Sequence, residues 1–261
     1  MNKTNKLMLS TVKVLSLALC VALSSCTARV NGDKATDADA GKLSENAELD
    51  TSVDAGEDYI DSIIFIGEST TYHLKSRGVL RDGQKTKQVW STSMGTMMLD
   101  SDIANLKIVY PDTGEELTIG EAARLKRPDR FVLTFGLNGA VNKIKRGEQY
   151  YKSCYLSLIK ALRDGSPDSS IIIQACPPIA ENMDVSAYGV DTATLNSYID
   201  TLNGWAKDMC AEQGLYYMAS NSALKDGKGY LASEYQIGDG YHLSTAAYEK
   251  MLYYIRTHAV E

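Results

Sequence analysis

No stretch of this chain is rich in Lys and Arg, and the formal net charge is −6, so a basic surface for a phosphate backbone is absent and a nucleic-acid partner is excluded. Histidine is scarce too. The three present, His73, His242 and His258, are scattered, which leaves no ligand cluster for zinc. Of the five cysteines, Cys20 and Cys26 lie near the N-terminus, while Cys154, Cys176 and Cys210 each fall within an apolar pattern. An odd number of thiols without metal-ligand spacing speaks against a disulfide framework and for buried structural cysteines. Long apolar runs are missing as well: the longest, Val14 to Leu23, is shorter than the ~20 residues of a membrane span. There is no internal repeat.

What the chain does have begins with Lys3, Lys6 and Lys13 ahead of that apolar core, the pattern of an export signal covering residues 1–25. The signal ends in Leu23-Ser24-Ser25-Cys26, which resembles the lipobox of bacterial lipoproteins. The resemblance implies a mature protein that begins at a diacylated Cys26, anchored in the membrane and facing its extracytoplasmic side. Residues 26–58 are rich in Asp, Ala, Thr, Ser and Gly without apolar periodicity, and read as a flexible tether. Residues 59–261 are the length of one domain with a sizeable core.

Within that domain five β-type runs occur: Ser62–Ile66, Lys87–Trp90, Arg130–Phe135, Ser170–Ala175 and Leu215–Ala219. Several are continuously apolar, as expected of strands covered on both faces of a parallel sheet. Helical stripes lie between them. Tyr151, Cys154, Tyr155, Leu158, Ile159 and Leu162 form one, and Leu195, Tyr198, Ile199, Leu202, Trp205, Ala206 and Met209 form another that ends at Gly214. Ser244 is placed to cap a last helix carrying Ala247, Met251, Leu252 and Ile255. The alternation predicts a three-layer α/β/α domain around a five-stranded, mostly parallel, flavodoxin-like sheet. Residues 106–119, with Pro111-Asp112-Thr113-Gly114 at their centre, read as an inserted hairpin.

The apolar run of the first strand stops abruptly at Gly67-Glu68-Ser69-Thr70-Thr71, which would lift the Ser69 hydroxyl to the rim of the sheet. In open sheets ligands bind beyond the carboxyl ends of the strands, where Ser69 would sit. Asp239-Gly240-Tyr241-His242 supplies a carboxylate and an imidazole three residues apart in one loop. Together these residues offer nucleophile (Ser69), general base (His242) and orienter of the base (Asp239). The second glycine of a Gly-x-Ser-x-Gly elbow is absent, which argues against an α/β-hydrolase. His73 lies four residues after Ser69, but nothing nearby in sequence orients it.

With Gly67-Glu68-Ser69, Gly136-Leu137-Asn138 and Asp239-x-x-His242 in this order, the chain resembles the SGNH hydrolases, the GDSL lipase/esterase family, across essentially the whole folded domain. The resemblance implies carboxylic ester hydrolysis by Ser69, His242 and Asp239 without a cofactor. It also implies an oxyanion hole formed by the backbone N–H of Ser69, the side-chain amide of Asn138 and a backbone glycine N–H, for which Gly95 is the candidate. Two positions depart from the pattern: Glu68 stands for the usual Asp, and Gly139 replaces an acidic residue often found after the Asn. Many relatives remove O-acetyl groups from carbohydrates, so the expected partner is a small-molecule or polysaccharide ester at the cell envelope. The competing readings are a non-catalytic ligand-binding lipoprotein and an O-acyltransferase using the same serine. The tyrosines, sixteen against three phenylalanines, suit stacking on sugars but equally suit packing against a sheet.

Overall fold

A computed structural model describes residues 47–260. Five strands form one sheet: β1 (Ile63–Gly67), β2 (Val89–Trp90), β5 (Arg130–Thr134), β6 (Ser170–Gln174) and β7 (Tyr216–Met218). Their order is β2-β1-β5-β6-β7, and every neighbouring pair is parallel rather than mostly so. This is the order 2-1-3-4-5 of flavodoxin-like sheets. The inserted hairpin is present as β3 (Lys107–Val109) paired antiparallel with β4 (Glu116–Thr118).

Alternate residues of the strands serve opposite faces, as the two-residue period of a strand requires. Ile64, Ile66, Phe131, Leu133, Ile171 and Ile173 point into one core with α3 (Ile119–Lys126), α5 (Glu148–Gly165) and α6 (Thr192–Gln213). Ile63, Phe65, Val132 and Ile172 point into the other, with α1 (Gly56–Asp61), α2 (Ser69–Ser76) and α7 (Thr245–Arg256). The result is the expected α/β/α stack. Ser244 caps α7 as its sequence position suggests, its hydroxyl accepting from the Ala247 N–H at 3.3 Å. Cys154, Cys176 and Cys210 are buried free thiols.

The tether boundary is corrected. Residues 1–46, with the signal, Cys26 and most of the expected tether, lie outside the described residues, but residues 47–58 are part of the fold. Leu49 N–H donates to Tyr217 O and Tyr217 N–H to Ala47 O, both at 2.8 Å, so this segment lies along β7 as a parallel extension of the sheet. Lys207 pairs with Glu48 at 2.6 Å, and Ser52 and Ala55 donate to Thr257 and Arg256 carbonyls. Main-chain pairing needs no apolar period, which is why the composition of the segment did not reveal it.

Register positions the site. Gly67 pairs with Thr134, so the loops leaving β1 and β5 start side by side at the carboxyl edge of the sheet. They approach so closely that a Cβ on Gly67 would lie 2.4 Å from the Thr134 carbonyl oxygen and 2.3 Å from Thr71 Oγ1. Only glycine fits there.

Candidate active site

Ser69 is the first residue of α2, so its backbone N–H has no acceptor within the helix and sits at the positive end of the helix dipole. Its Oγ lies 3.0 Å from His242 Nε2. The opposite ring nitrogen, Nδ1, lies 2.7 Å from Asp239 Oδ2. A carboxylate at Nδ1 requires the proton there, which leaves the Nε2 lone pair facing the serine hydroxyl. Asp239 Oδ1 accepts the backbone N–H groups of His242 and Tyr241 at 2.9 and 3.1 Å. Burial works to raise the Asp239 carboxyl, but the N–H bonds from His242 and Tyr241 outweigh it and hold the group below its ordinary value. It therefore stays ionised while the imidazole cycles.

The loop carrying this pair is fitted tightly. Gly240 has φ +86°, and a Cβ there would lie 2.7 Å from Met183 Cα, so the turn that aims both side chains tolerates no larger residue. Tyr248 of α7 donates its hydroxyl to Thr70 O at 2.7 Å, tying the helix after the loop to the first turn of α2. His242 is also flanked by two rings, Tyr241 at 4.0 Å and His73 at 4.5 Å between centroids.

His73, unoriented in the sequence, is thus brought against the general base. Burial first, then the charges of His242 and Arg77, push it down to about 4, with Asp239 opposing. In the unfolded chain a histidine titrates near 6.5. Because the folded value is the lower one, protonation favours the unfolded chain. The His73 contribution is therefore fully present above about 6.5 and is lost as pH falls from there toward 4. We expect the urea midpoint of the wild type to fall more steeply between pH 6.5 and 4.5 than that of His73→Phe; parallel pH profiles would refute it.

Glu68 is buried at 3% exposure and its carboxylate gathers the next loop. Oε1 accepts Gly136 N–H at 3.0 Å, Oε2 accepts Leu137 N–H at 3.2 Å, and both accept Asn138 N–H at 3.1 Å. Burial raises this carboxyl above its ordinary value, and the N–H groups and Lys143 offset only part of that rise. With N–H donors on both oxygens, the pattern is that of an ionised carboxylate. Glu68 thus supports the loop that carries Asn138.

Asn138 presents its side-chain amide from that loop, and its Nδ2 donates to Thr96 Oγ1 and to Met97 O, both at 3.3 Å. Gly95 is the correction at this site. Its N–H donates to Thr92 O at 3.0 Å, closing a turn in which Gly95 has φ +69° and packs on the Tyr72 ring. The Gly95 N–H is engaged at 3.0 Å in a closed turn, whereas Asn138 Nδ2 is engaged only through two long 3.3 Å bonds that an oxyanion could replace, so the N–H of Ser69 and the amide of Asn138 are the expected donor pair. His258 stacks on Tyr254 at 3.7 Å, with its Nδ1 2.9 Å from the Tyr254 carbonyl oxygen.

A cleft of about 440 Å³ opens beside Asn138. Met97, Met98, Leu106 and Tyr188 line it together with Asp100 and Asp102, so its walls mix apolar and acidic groups. Sequence reasoning missed Lys143, whose ammonium reaches the Asn138 carbonyl from the following helix. A lysine in a short helix ordinarily reads as solvated surface, so no local signal marked it.

A serine at a helix N-terminus, with an imidazole and a carboxylate in line behind it and an amide beside it, places this α/β protein among those built for nucleophilic hydrolysis. Residues 65–250 match the GDSL-like Lipase/Acylhydrolase family, and the chain belongs to that family. The comparison with curated proteins found no match. Among solved structures, a protein of Streptococcus pneumonia assigned as a platelet activating factor is similar at 17% identity and TM-score 0.52, over 74% of this chain and 81% of that one. Phospholipase A1 from Streptomyces albidoflavus NA297 is similar at 15% identity and TM-score 0.49, over 76% and 98%. The first of these likenesses shows the shared fold, and neither defines a substrate here.

Proposed function

We propose that the protein is a serine ester hydrolase for short-chain esters, most of all acetyl esters of carbohydrate, held at the outer face of the cell membrane through a lipid on Cys26. The observation that carries the hydrolase reading is the alignment of Ser69, His242 and Asp239 at 3.0 and 2.7 Å, which a purely ligand-binding lipoprotein would not need. In this mechanism His242 takes the Ser69 proton as Oγ attacks the ester carbonyl. The Ser69 N–H and Asn138 amide receive the oxyanion, and His242 returns the proton to the leaving alcohol. Water, activated by the same imidazole, then releases the acid. Support for a short acyl group and a hydroxylated acceptor comes from the cleft beside Asn138, where Thr92, Thr96, Asp100 and Asp102 interrupt the apolar wall. The envelope location follows from the Leu23-Ser24-Ser25-Cys26 pattern alone.

One preparation tests both parts. From a bacterial membrane fraction, the protein should begin at a diacylated Cys26 by intact mass and should hydrolyse p-nitrophenyl acetate with a higher kcat/KM than the butyrate or octanoate. An unmodified N-terminus elsewhere would end the anchor reading. A kcat/KM for octanoate well above that for acetate would replace the carbohydrate ester with a lipid ester.

A further inference from the structure

The residue after Asn138 is Gly139, at φ +73°, and α4 (Ala140–Arg146) begins directly after it. Lys143 lies one turn into that helix and is 2% exposed, a rare state for lysine. Its Nζ donates to the Asn138 carbonyl. The opposite charge that acts on it most strongly is Glu68, across Asn138. The glycine makes room for this arrangement: a Cβ at position 139 would stand 3.4 Å from Nζ and 3.3 Å from Met98 Sδ.

Asn138 is therefore gripped on both sides. Glu68 holds its N–H and Lys143 holds its C=O, leaving the side chain to be aimed by Thr96 and Met97. Burying an ammonium is costly, and an apolar side chain of similar volume usually packs there at no loss of stability. A charge kept at this position calls for a role other than filling space.

We propose that Lys143 is a positioning residue for the oxyanion donor: by holding the Asn138 carbonyl against the pull of Glu68, it keeps the Asn138 amide aimed at the point where negative charge develops on the ester oxygen. This rests on the ester-hydrolase reading of Asn138. An amide set loose by a fraction of an ångström loses much of its worth in the transition state and little in the ground state, because oxyanion donors act on charge that substrate does not yet carry.

The test is a double-mutant cycle on full-length protein with p-nitrophenyl acetate, using wild type, Lys143→Met, Asn138→Ala and the double variant, with Ser69→Ala as reference. Lys143→Met should lower kcat by about 10- to 100-fold with KM within about two-fold, and should cause no further loss in the Asn138→Ala background. Losses that multiply in the two backgrounds, or a KM that moves with kcat, would reduce Lys143 to a structural residue and overturn the proposal. If Lys143→Met does not fold, Lys143→Gln, which keeps a donor, takes its place, with a smaller kcat loss that again vanishes without Asn138. Equal rates for wild type and Ser69→Ala would bring down the hydrolase reading and this inference together. An inactive Ser69→Ala beside a fully active Lys143→Met would bring down this inference alone.

Discussion

Ser69→Ala and His242→Ala should each lower kcat for p-nitrophenyl acetate by about 10³-fold or more, and the double variant should lose little beyond either one. The reason lies in the 3.0 Å contact between Oγ and Nε2. A serine hydroxyl is a poor nucleophile until a base takes its proton, and the imidazole has no reaction to serve once the hydroxyl is gone. Each group's worth is realised only through the other, so the second removal finds almost nothing left to remove. Residual rate should come from the donors of Ser69 N–H and Asn138, which still polarise the ester. The measurement is steady-state kcat for the two single variants and the double, with folding checked by circular dichroism. A Ser69→Ala protein turning over near the wild-type rate would exclude the mechanism.

Glu68→Gln should be the most damaging change that leaves the reacting groups untouched, lowering stability by about 2–5 kcal/mol and kcat with it. Glutamine nearly preserves the shape but turns one carboxylate oxygen into an NH2 group. In a buried site where Gly136, Leu137 and Asn138 all aim N–H groups at that carboxylate, a donor would face donors. Each buried N–H left unpaired costs roughly 1–3 kcal/mol, and one or two would be stranded. For a domain of this size the loss corresponds to a melting temperature lower by about 5–15 °C. Glu68→Asp keeps the charge and both acceptors, at a shorter reach, and should lie between Gln and wild type. Thermal unfolding and kcat on the three proteins decide it. A Glu68→Gln melting temperature within about 1 °C of wild type would show that the carboxylate does not hold the loop.

Much of this molecule was legible before any coordinates. The five strands could be found because buried parallel strands are continuous apolar runs, and Ser69 because such a run, in β1, ends at Gly-Glu-Ser. Asp239 and His242 were legible as a pair because three residues of one loop suffice to bring their side chains together. The start of α3 also carries a signal in sequence, since Thr118 and Glu121 form a capping box recognisable as Thr-x-x-Glu. Residues 47–58 have the composition of a tether because a segment that joins a sheet through its main chain leaves no trace in side-chain pattern.

The sequence by itself determined the layered α/β class and the strand positions, and it singled out the candidate serine, imidazole and carboxylate, since each rests on contacts close in the chain or on a hydrophobic period. Tertiary structure alone decided what meets across it. Ser69 and His242 are 173 residues apart and join only because β1 ends beside the loop that α7 anchors to α2. It was also three-dimensional packing that set His73 against the base and buried Lys143 behind Asn138. Hydrogen-bond partnership and burial depend on neighbours remote in sequence, and a residue's type constrains what it can donate or accept without saying to whom.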